Sequence, residues 1–504
     1  MSDIVKLPYY GKGGWKQSST DHWMDVMDPS KGEVIAQAPS CTAAEVEAVI
    51  EQAAQAFTTW SRTPVIKRVQ VLFRFRELLL EHMDELTYIV ARENGKVWEE
   101  ARGDLLKVKE PLELACGAPT LMMGESLMDT SSGYDTILYR EPVGVFAGIA
   151  PFNFPGMIPM GWMVPLCVAT GNTMIIKASS TTPMTSLRLL ELLEEAGLPQ
   201  GVVSVLTTGR DNAQLLLTDP RVKGVCFVGT TGAGLKIYST AASHGKRVQA
   251  LCEAKNHALV MDDAVLERTA KGIINSAFGC AGERCMALPV VVAQEGIADR
   301  LVERLVSLAS QLKVGCAYDK TSQMGPVVTQ KHKDSILGWI ETGLKEGAKL
   351  VLDGRGIQVP GCENGYFIGP TILDHVTERM TVGQREIFGP VLCVKRVKTF
   401  EEGVALINRN PFANGAVIYT QNGYYARNFS QQIDGGMVGV NVGIPVPVGM
   451  FPFSGHKQSF FGDLHTLGKD GVRFFTENKV VTSTWFTEES NKQKVDTWDG
   501  SVGG

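Results

Sequence analysis

From Glu141 onward the chain alternates short β-rich runs with amphipathic helical ones, and this alternation narrows the architecture more than any other feature. "VGVFAGIA", "NTMIIKA", "VVSVLTT", "GVCFVG" and "HALVMDD" read as strands, with helical patterns such as "MTSLRLLELLEEAG" and "AGLKIYSTAAS" between them. Apolar runs joined by helices need crossover connections, which predicts a parallel, doubly wound α/β sheet. A second alternating set, "LPVVVAQ" then "IADRLVERLVSLASQL", predicts a second α/β domain.

The segment ahead of the strands is helical. Thr42 and Glu45 form a capping-box pattern that leads into Val46, Val49, Ile50, Ala53, Ala54 and Phe57, the spacing of a helix with one buried stripe. A second helix is expected through "VLFRFRELLLEHMDELTYIVAREN", stopping at Gly95. Both read as scaffold. The only polar, unpatterned stretch is a tail after Thr487.

A chain of 504 residues has room for two or three domains, and a net charge of −5 without basic runs argues against nucleic acid or an anionic membrane as partner. "GMIPMGWMVPLCVATGNTMII" is broken by prolines and glycines, so no membrane span is expected. The start, "MSDIVKLPYYGKGGW", reads as neither a secretory nor a transit segment, and a cytoplasmic location is expected. The 10 cysteines include no Cys-x-x-Cys pair and the 8 histidines form no cluster, so no metal site is expected. Most of these cysteines read as small buried hydrophobes.

Four places can carry chemistry. In "GCAGERCMAL", Cys285 is either a nucleophile or one more buried thiol. In "GVCFVGTTGAGLKIY", Gly229, Thr230, Gly232 and Gly234 lie between a β-run and a helix, where backbone N–H groups can cradle a phosphate or simply make a tight turn. Asn153 in "APFNFPGMIP" can donate to a developing oxyanion or cap a turn. Lys177 ends a strand, within reach of a ribose or phosphate.

Taken in order, "PFNFP", the strand-end lysine, "FVGTTGAG", "GERC", "GYFIGPTI" (Gly365 to Ile372), "QREIFGPV" and the closing "FPFSGHKQSFFGD" and "GKDGVRFFTENKVVT" make the chain resemble the aldehyde dehydrogenase superfamily over nearly its whole length. Within it, "APFNFPGMIPMGWMVPLCVATGNT", "SHGKRVQALCEAKNHALVMDDA", "AFGCAGERCMAL" and "VGVNVGIPVPVGMFPFSG" are similar to the CoA-acylating methylmalonate-semialdehyde dehydrogenases. The resemblance implies a Rossmann-type nucleotide-binding domain (1–132 and 145–254), a second α/β catalytic domain (255–465), a small β oligomerisation arm (133–144 and 466–487) and a polar tail (488–504). It also implies a homodimer or homotetramer.

The same resemblance implies that Cys285 attacks an aldehyde, that Asn153 and the Cys285 N–H hold the oxyanion, and that a thioester on Cys285 follows the oxidation. Hydrolytic relatives carry a general-base Glu four residues before the lysine of a Glu-Leu-Gly-Gly-Lys segment. Here that segment reads "LCEAK", so Leu251 stands at the base position and thiolysis by coenzyme A is expected. Arg284 would hold the carboxylate of a small acidic aldehyde, with Lys107 where the family has a second arginine. Ala150, Phe152, Lys177, Ser180, Thr181, Gly229, Thr230, Cys252, Glu386 and Phe388 match cofactor-lining positions. Ser180 replaces the usual ribose-binding Glu, which admits NADP, while the overall likeness keeps NAD as the expected cofactor. Two alternatives remain: a hydrolytic, NADP-dependent semialdehyde dehydrogenase using Glu253 as base, and a non-catalytic relative kept as a binding or structural protein.

Overall fold

The computed structural model describes residues 4–131 and 133–485. Helix α1 (Ala43–Trp60) starts at the expected capping box: the Thr42 side chain accepts from the Glu45 N–H, and the Thr42 N–H donates to the Glu45 carboxylate at 2.8 Å. The long helix expected next is two, α2 (Val65–Glu81) and α3 (Met83–Asn94). They meet at His82, whose ψ of 17° leaves the helical range. The apolar stripe continues across this break, so periodicity alone does not reveal it. Gly95, at φ +91°, ends α3, and α4 (Trp98–Cys116) follows.

The first sheet holds five parallel strands, β1 (Val145–Ile149), β2 (Thr173–Lys177), β3 (Val203–Leu206), β4 (Val222–Val228) and β5 (Arg247–Leu251), in the order β3-β2-β1-β4-β5. Helix α5 (Met184–Glu195) connects β2 to β3, α6 (Arg210–Thr218) connects β3 to β4, and α7 (Thr231–Ser243) connects β4 to β5. The strand order reverses between β1 and β4, and a crevice therefore opens at the carboxyl ends of these two strands. Tyr9–Gly11 and Gly14–Lys16 extend one edge; Phe460–Gly462 pairs antiparallel with β5 at the other.

The second sheet contains β6 (His257–Val260), β7 (Val290–Gln294), β8 (Thr371–Asp374), β9 (Val391–Val397), β10 (Gly415–Tyr419) and β11 (Met437–Val440), ordered β8-β9-β7-β6-β10-β11, with Lys349–Leu352 antiparallel at the β8 edge. "HALV", which alternation alone runs on from the first set of strands and which the expected boundary at 255 assigns to the second domain, is β6 and lies in this sheet between β7 and β10. Helix α8 (Leu266–Phe278) packs against this sheet, as do α9 (Glu295–Ala309) and α10 (Gln330–Lys345). Each sheet has its own large apolar core.

Tyr134–Pro142 and Thr476–Thr484 pair antiparallel along their whole length, as their alternating apolar residues suggest. A third strand, Glu125–Ser131, completes this sheet, although the boundary at 132 had placed it with the nucleotide-binding segment. Likewise Phe460–Gly462, inside the segment assigned to the catalytic domain, belongs to the first sheet. Residues 486–504, which include the polar tail, lie outside the described residues.

Candidate active site

The first sheet turns the carboxyl ends of its strands toward the second, which turns its amino ends back. The chain crosses directly between them through Cys252–Asn256. Cys285 lies in the loop ahead of β7, and Asn153 lies in the loop after β1, so the two come from opposite sheets.

The loop carrying Cys285 is held in an unusual backbone shape. Cys280, Ala281 and Gly282 all have positive φ (54°, 50° and 74°), which costs energy for the two residues with a Cβ. A Cβ on Gly282 would lie 2.2 Å from the Gly389 carbonyl oxygen, so glycine is required there. The Cys285 carbonyl accepts from Asn256 Nδ2 at 2.8 Å, and Asn256 also bonds Ala287 and Gly415. Asn256, unflagged by sequence, thus ties this loop to β10 from the crossing segment itself.

Asn153 is buried, and its Nδ2 donates to the Glu283 carbonyl at 3.0 Å. An amide nitrogen has two N–H groups, and the second remains for another acceptor. Its loop is fastened by Asn94 Nδ2 and Thr182 Oγ1, both donating to the Phe152 carbonyl at 3.0 Å. Below it, the buried pair Lys96–Asp104 (3.1 Å) anchors the turn, with Asp104 accepting from the Met157 N–H at 2.7 Å.

Cys285 stands between two cavities. One, of about 440 Å³, is lined by Arg284, Lys107, Glu100, Cys280 and the apolar side chains of Phe154, Trp162, Ile444, Val446 and Phe453. Sequence brings Arg284 and Lys107 to it, and both are present. Arg284 Nη2 lies 3.3 Å from Cys280 Sγ and 3.8 Å from Glu100 Oε1, whereas Lys107 is bound to Glu110 at 2.8 Å. Glu100 and the apolar walls carry no sequence signal, because they come from distant segments.

The other cavity, of about 320 Å³, is lined by Phe152, Asn153, Gly229, Thr230, Cys252, Glu253, Cys285, Glu386 and Phe388, with His332, Ser335 and Trp339 from α10. The α10 residues were not foreseen. His332 Nε2 lies 2.7 Å from the Phe388 carbonyl and so braces the "EIFGP" loop. A third cavity, of about 430 Å³, adjoins at Thr230 and is lined by Lys177. Ala150 donates its N–H to the Lys177 carbonyl, and Ser180 and Thr181 follow β2 without lining any of these three cavities. The close approach of α7 to Cys252 requires Gly234, whose Cβ would lie 2.3 Å from Cys252 Sγ.

Charge is managed by burial. Burial pushes the Cys285 thiol up to about 12, with the Glu386 carboxylate adding to the shift and Arg284 opposing it. Glu386 is itself raised to about 8 by burial, and its Oε1 accepts from the Ala254 N–H at 3.0 Å. Glu253 is placed differently: its Oε2 accepts from the Thr231 N–H at 2.8 Å, at the positive start of α7. Leu251 is buried in β5 within the first core.

The chain matches the Aldehyde dehydrogenase family over residues 15–481. The chain belongs to the aldehyde dehydrogenase family. This aldehyde dehydrogenase is 49% identical over 485 residues to a malonate-semialdehyde dehydrogenase of Geobacillus kaustophilus, covering 96% of this chain and 99% of the relative. Among solved structures it is similar to the methylmalonate-semialdehyde dehydrogenase of Oceanimonas doudoroffii, with a TM-score of 0.95 and 42% identity, covering 97% of this chain and 100% of that one. It is equally similar in shape (TM-score 0.95, 40% identity, 97% and 99% covered) to a Sinorhizobium meliloti protein assigned as a methylmalonate-semialdehyde dehydrogenase and complexed with NAD. Among the described residues no helix is long and apolar enough to cross a membrane.

Proposed function

We propose that this aldehyde dehydrogenase oxidises a small acidic aldehyde, malonate or methylmalonate semialdehyde, to an acyl-coenzyme A through a thioester on Cys285. The observation that carries this reading is the position of Cys285 between a cavity bearing Arg284 and one bearing Asn153 and Glu386. The two cavities at the reversal of the first sheet fit a nicotinamide dinucleotide, the ligand of the S. meliloti neighbour. Glu386, Phe388, Thr230, Cys252 and Lys177 would hold it, and when bound it supplies the acceptor for the two electrons of the oxidation.

The remaining chemistry belongs to the chain. Arg284 orients the substrate carboxylate, with Lys107 at the same cavity as a second cation. Cys285 Sγ adds to the aldehyde carbon, and the free N–H of Asn153 and the Cys285 N–H stabilise the oxyanion. The C–H bond of the former aldehyde carbon then breaks, its hydride would go to the dinucleotide acceptor, and the collapsing oxyanion leaves a thioester on Cys285. The thiol of coenzyme A then attacks its carbonyl carbon, forms the acyl-coenzyme A and returns the cysteine.

Thiolysis is favoured over hydrolysis because Leu251 is apolar and buried, and because the Glu253 carboxylate is engaged by the start of α7. The three-stranded sheet, with Leu127, Met128 and Val480 exposed, is the proposed contact for a homodimer or homotetramer, and the cytoplasm is the proposed location. The test follows reduced-nicotinamide absorbance with each semialdehyde, with and without coenzyme A. Turnover that requires coenzyme A and yields an acyl-coenzyme A supports the reading; equal turnover without it assigns hydrolysis instead.

A further inference from the structure

Two of the ten cysteines escape full burial. One is Cys285; the other is Cys316, which stands in the loop between α9 and α10 and lines neither cavity at Cys285. The Cys316 thiol is in hydrogen-bonding contact with that of Cys362, which is buried in the loop between Lys349–Leu352 and β8. Both belong to one small apolar cluster with Val314, Ile357, Val359 and Phe367. A single thiol in such a cluster is a small hydrophobe, but two in contact, one of them reached by solvent, are a dithiol.

The backbone around them is fixed from a third segment. The turn at 29–32 clamps both loops: Ser30 Oγ accepts from the Ala317 N–H at 3.0 Å, the Pro29 carbonyl accepts from the Tyr366 N–H at 2.9 Å, and Lys31 Nζ donates to the Gly361 carbonyl. A Cβ on Gly32 would lie 2.3 Å from the Asn364 carbonyl oxygen, so the clamp leaves no slack there. The two loops also join each other, the Val327 N–H donating to the Tyr366 carbonyl at 3.1 Å. A disulfide needs its sulfurs about 2 Å apart, and contacting thiols held on such a frame reach that by side-chain rotation.

Lys31 adds a chemical reason. Its ammonium faces both sulfurs, and a cation there favours the thiolate, the form that attacks an oxidant. Burial pushes the Cys362 thiol up and Lys31 opposes it, so the partly exposed Cys316 is the thiol that a solute meets first. Tyr318, whose O–H donates to Asp28 Oδ2 at 3.2 Å, is the other polar side chain at Cys316.

We propose that Cys316 and Cys362 form a redox site, which hydrogen peroxide converts reversibly into a disulfide. The Cys316 thiolate attacks one peroxide oxygen, the O–O bond breaks, and hydroxide leaves to become water, so that Cys316 carries a sulfenic acid. The Cys362 thiolate then attacks that sulfur, forms the S–S bond and expels the remaining oxygen as a second water. Two thiols lose two electrons and two protons, and one peroxide becomes two waters. The bridge closes the stretch of chain that contains α10, whose His332 braces the Phe388 carbonyl, and so it restricts the unfolded chain.

Peptide mapping by mass spectrometry tests this on the full-length enzyme, treated with hydrogen peroxide and then alkylated to block the remaining thiols. The expected product is one linked peptide pair, Cys316 with Cys362, lighter by two hydrogens and separated by dithiothreitol. Cys316→Ser and Cys362→Ser should keep the activity of the untreated enzyme and give no such pair. Treatment should also raise the unfolding midpoint of the wild-type chain, followed by circular dichroism, by about 3 °C relative to its effect on Cys316→Ser. Cys316 carried on to a sulfinic acid with Cys362 still open to alkylation, or either cysteine bridged to a different one, overturns the proposal. Mapping of the wild-type chain decides this even where a variant fails to fold. A pair that forms without moving the midpoint overturns the restraint on the unfolded chain.

Discussion

The two sheets contribute to the site from opposite ends. The first presents the carboxyl ends of β1, β2 and β4, where Asn153, Lys177 and Thr230 stand beside cavities at the helix starts. The second presents its amino ends, where Cys285 and Asn256 sit just ahead of β7 and β6. Parallel sheets ordinarily use one end only for chemistry. Here one sheet supplies a crevice at its strand reversal, while the other supplies a strained loop that fixes the position of a thiol.

That division predicts that variants on the two sides fail differently. Cys285→Ser should lower turnover by about 10⁴-fold or more and leave dinucleotide affinity unchanged, as steady-state kinetics and calorimetry would show. Asn153→Ala, on the first-sheet side, should cost about 10²- to 10³-fold in kcat with a smaller change in KM, the expected loss of one oxyanion donor. A loss seen only in KM would mean that Asn153 binds substrate and does not act on the reacting oxygen.

Arg284→Lys should raise KM for malonate semialdehyde about tenfold while leaving a neutral aldehyde such as propanal little affected, since it keeps the charge and loses the fork. Equal losses on both aldehydes would show that Arg284 shapes the loop. A smaller effect separates Cys285 from its neighbour across the cavity. Alkylation of the free enzyme by iodoacetamide should rise tenfold per pH unit at first, because the thiolate is the reactive form and the thiol is held at about 12. Glu386 ionises near pH 8, and its charge opposes the thiolate, so the rise should flatten above that pH. Glu386→Gln should restore the full slope. Least of all, Thr42→Ala should cost about 1 kcal/mol in denaturant unfolding with unchanged catalysis, because it removes only a helix cap.

The site was legible in sequence where a motif occupies one loop at a strand end. "PFNFP", "FVGTTGAG" and "GERC" each carry their spacing with them, and Asn153, Thr230 and Cys285 do come together. What stayed hidden depends on distant segments meeting. Glu100 reaches Arg284 from α4, His332 reaches Phe388 from α10, and Arg210 faces Lys236 across two helices. No local pattern marks any of them. The strand "HALV" teaches the same lesson: it is a fully buried run in β6, and a run buried on both faces looks alike in either sheet, so its alternation alone could not assign it. Only its parallel register with β7 and β10 says which one it joined.

The edge strand Phe460–Gly462 has a consequence for how the molecule comes apart. It follows the whole second sheet in the chain, yet it pairs with β5 of the first. Cutting between residues 254 and 255 would therefore leave the leading piece without its last strand and the trailing piece with an orphan one. The two sheets are spatially distinct but interleaved along the chain, so a piece cut at that point carries neither sheet complete and unmixed.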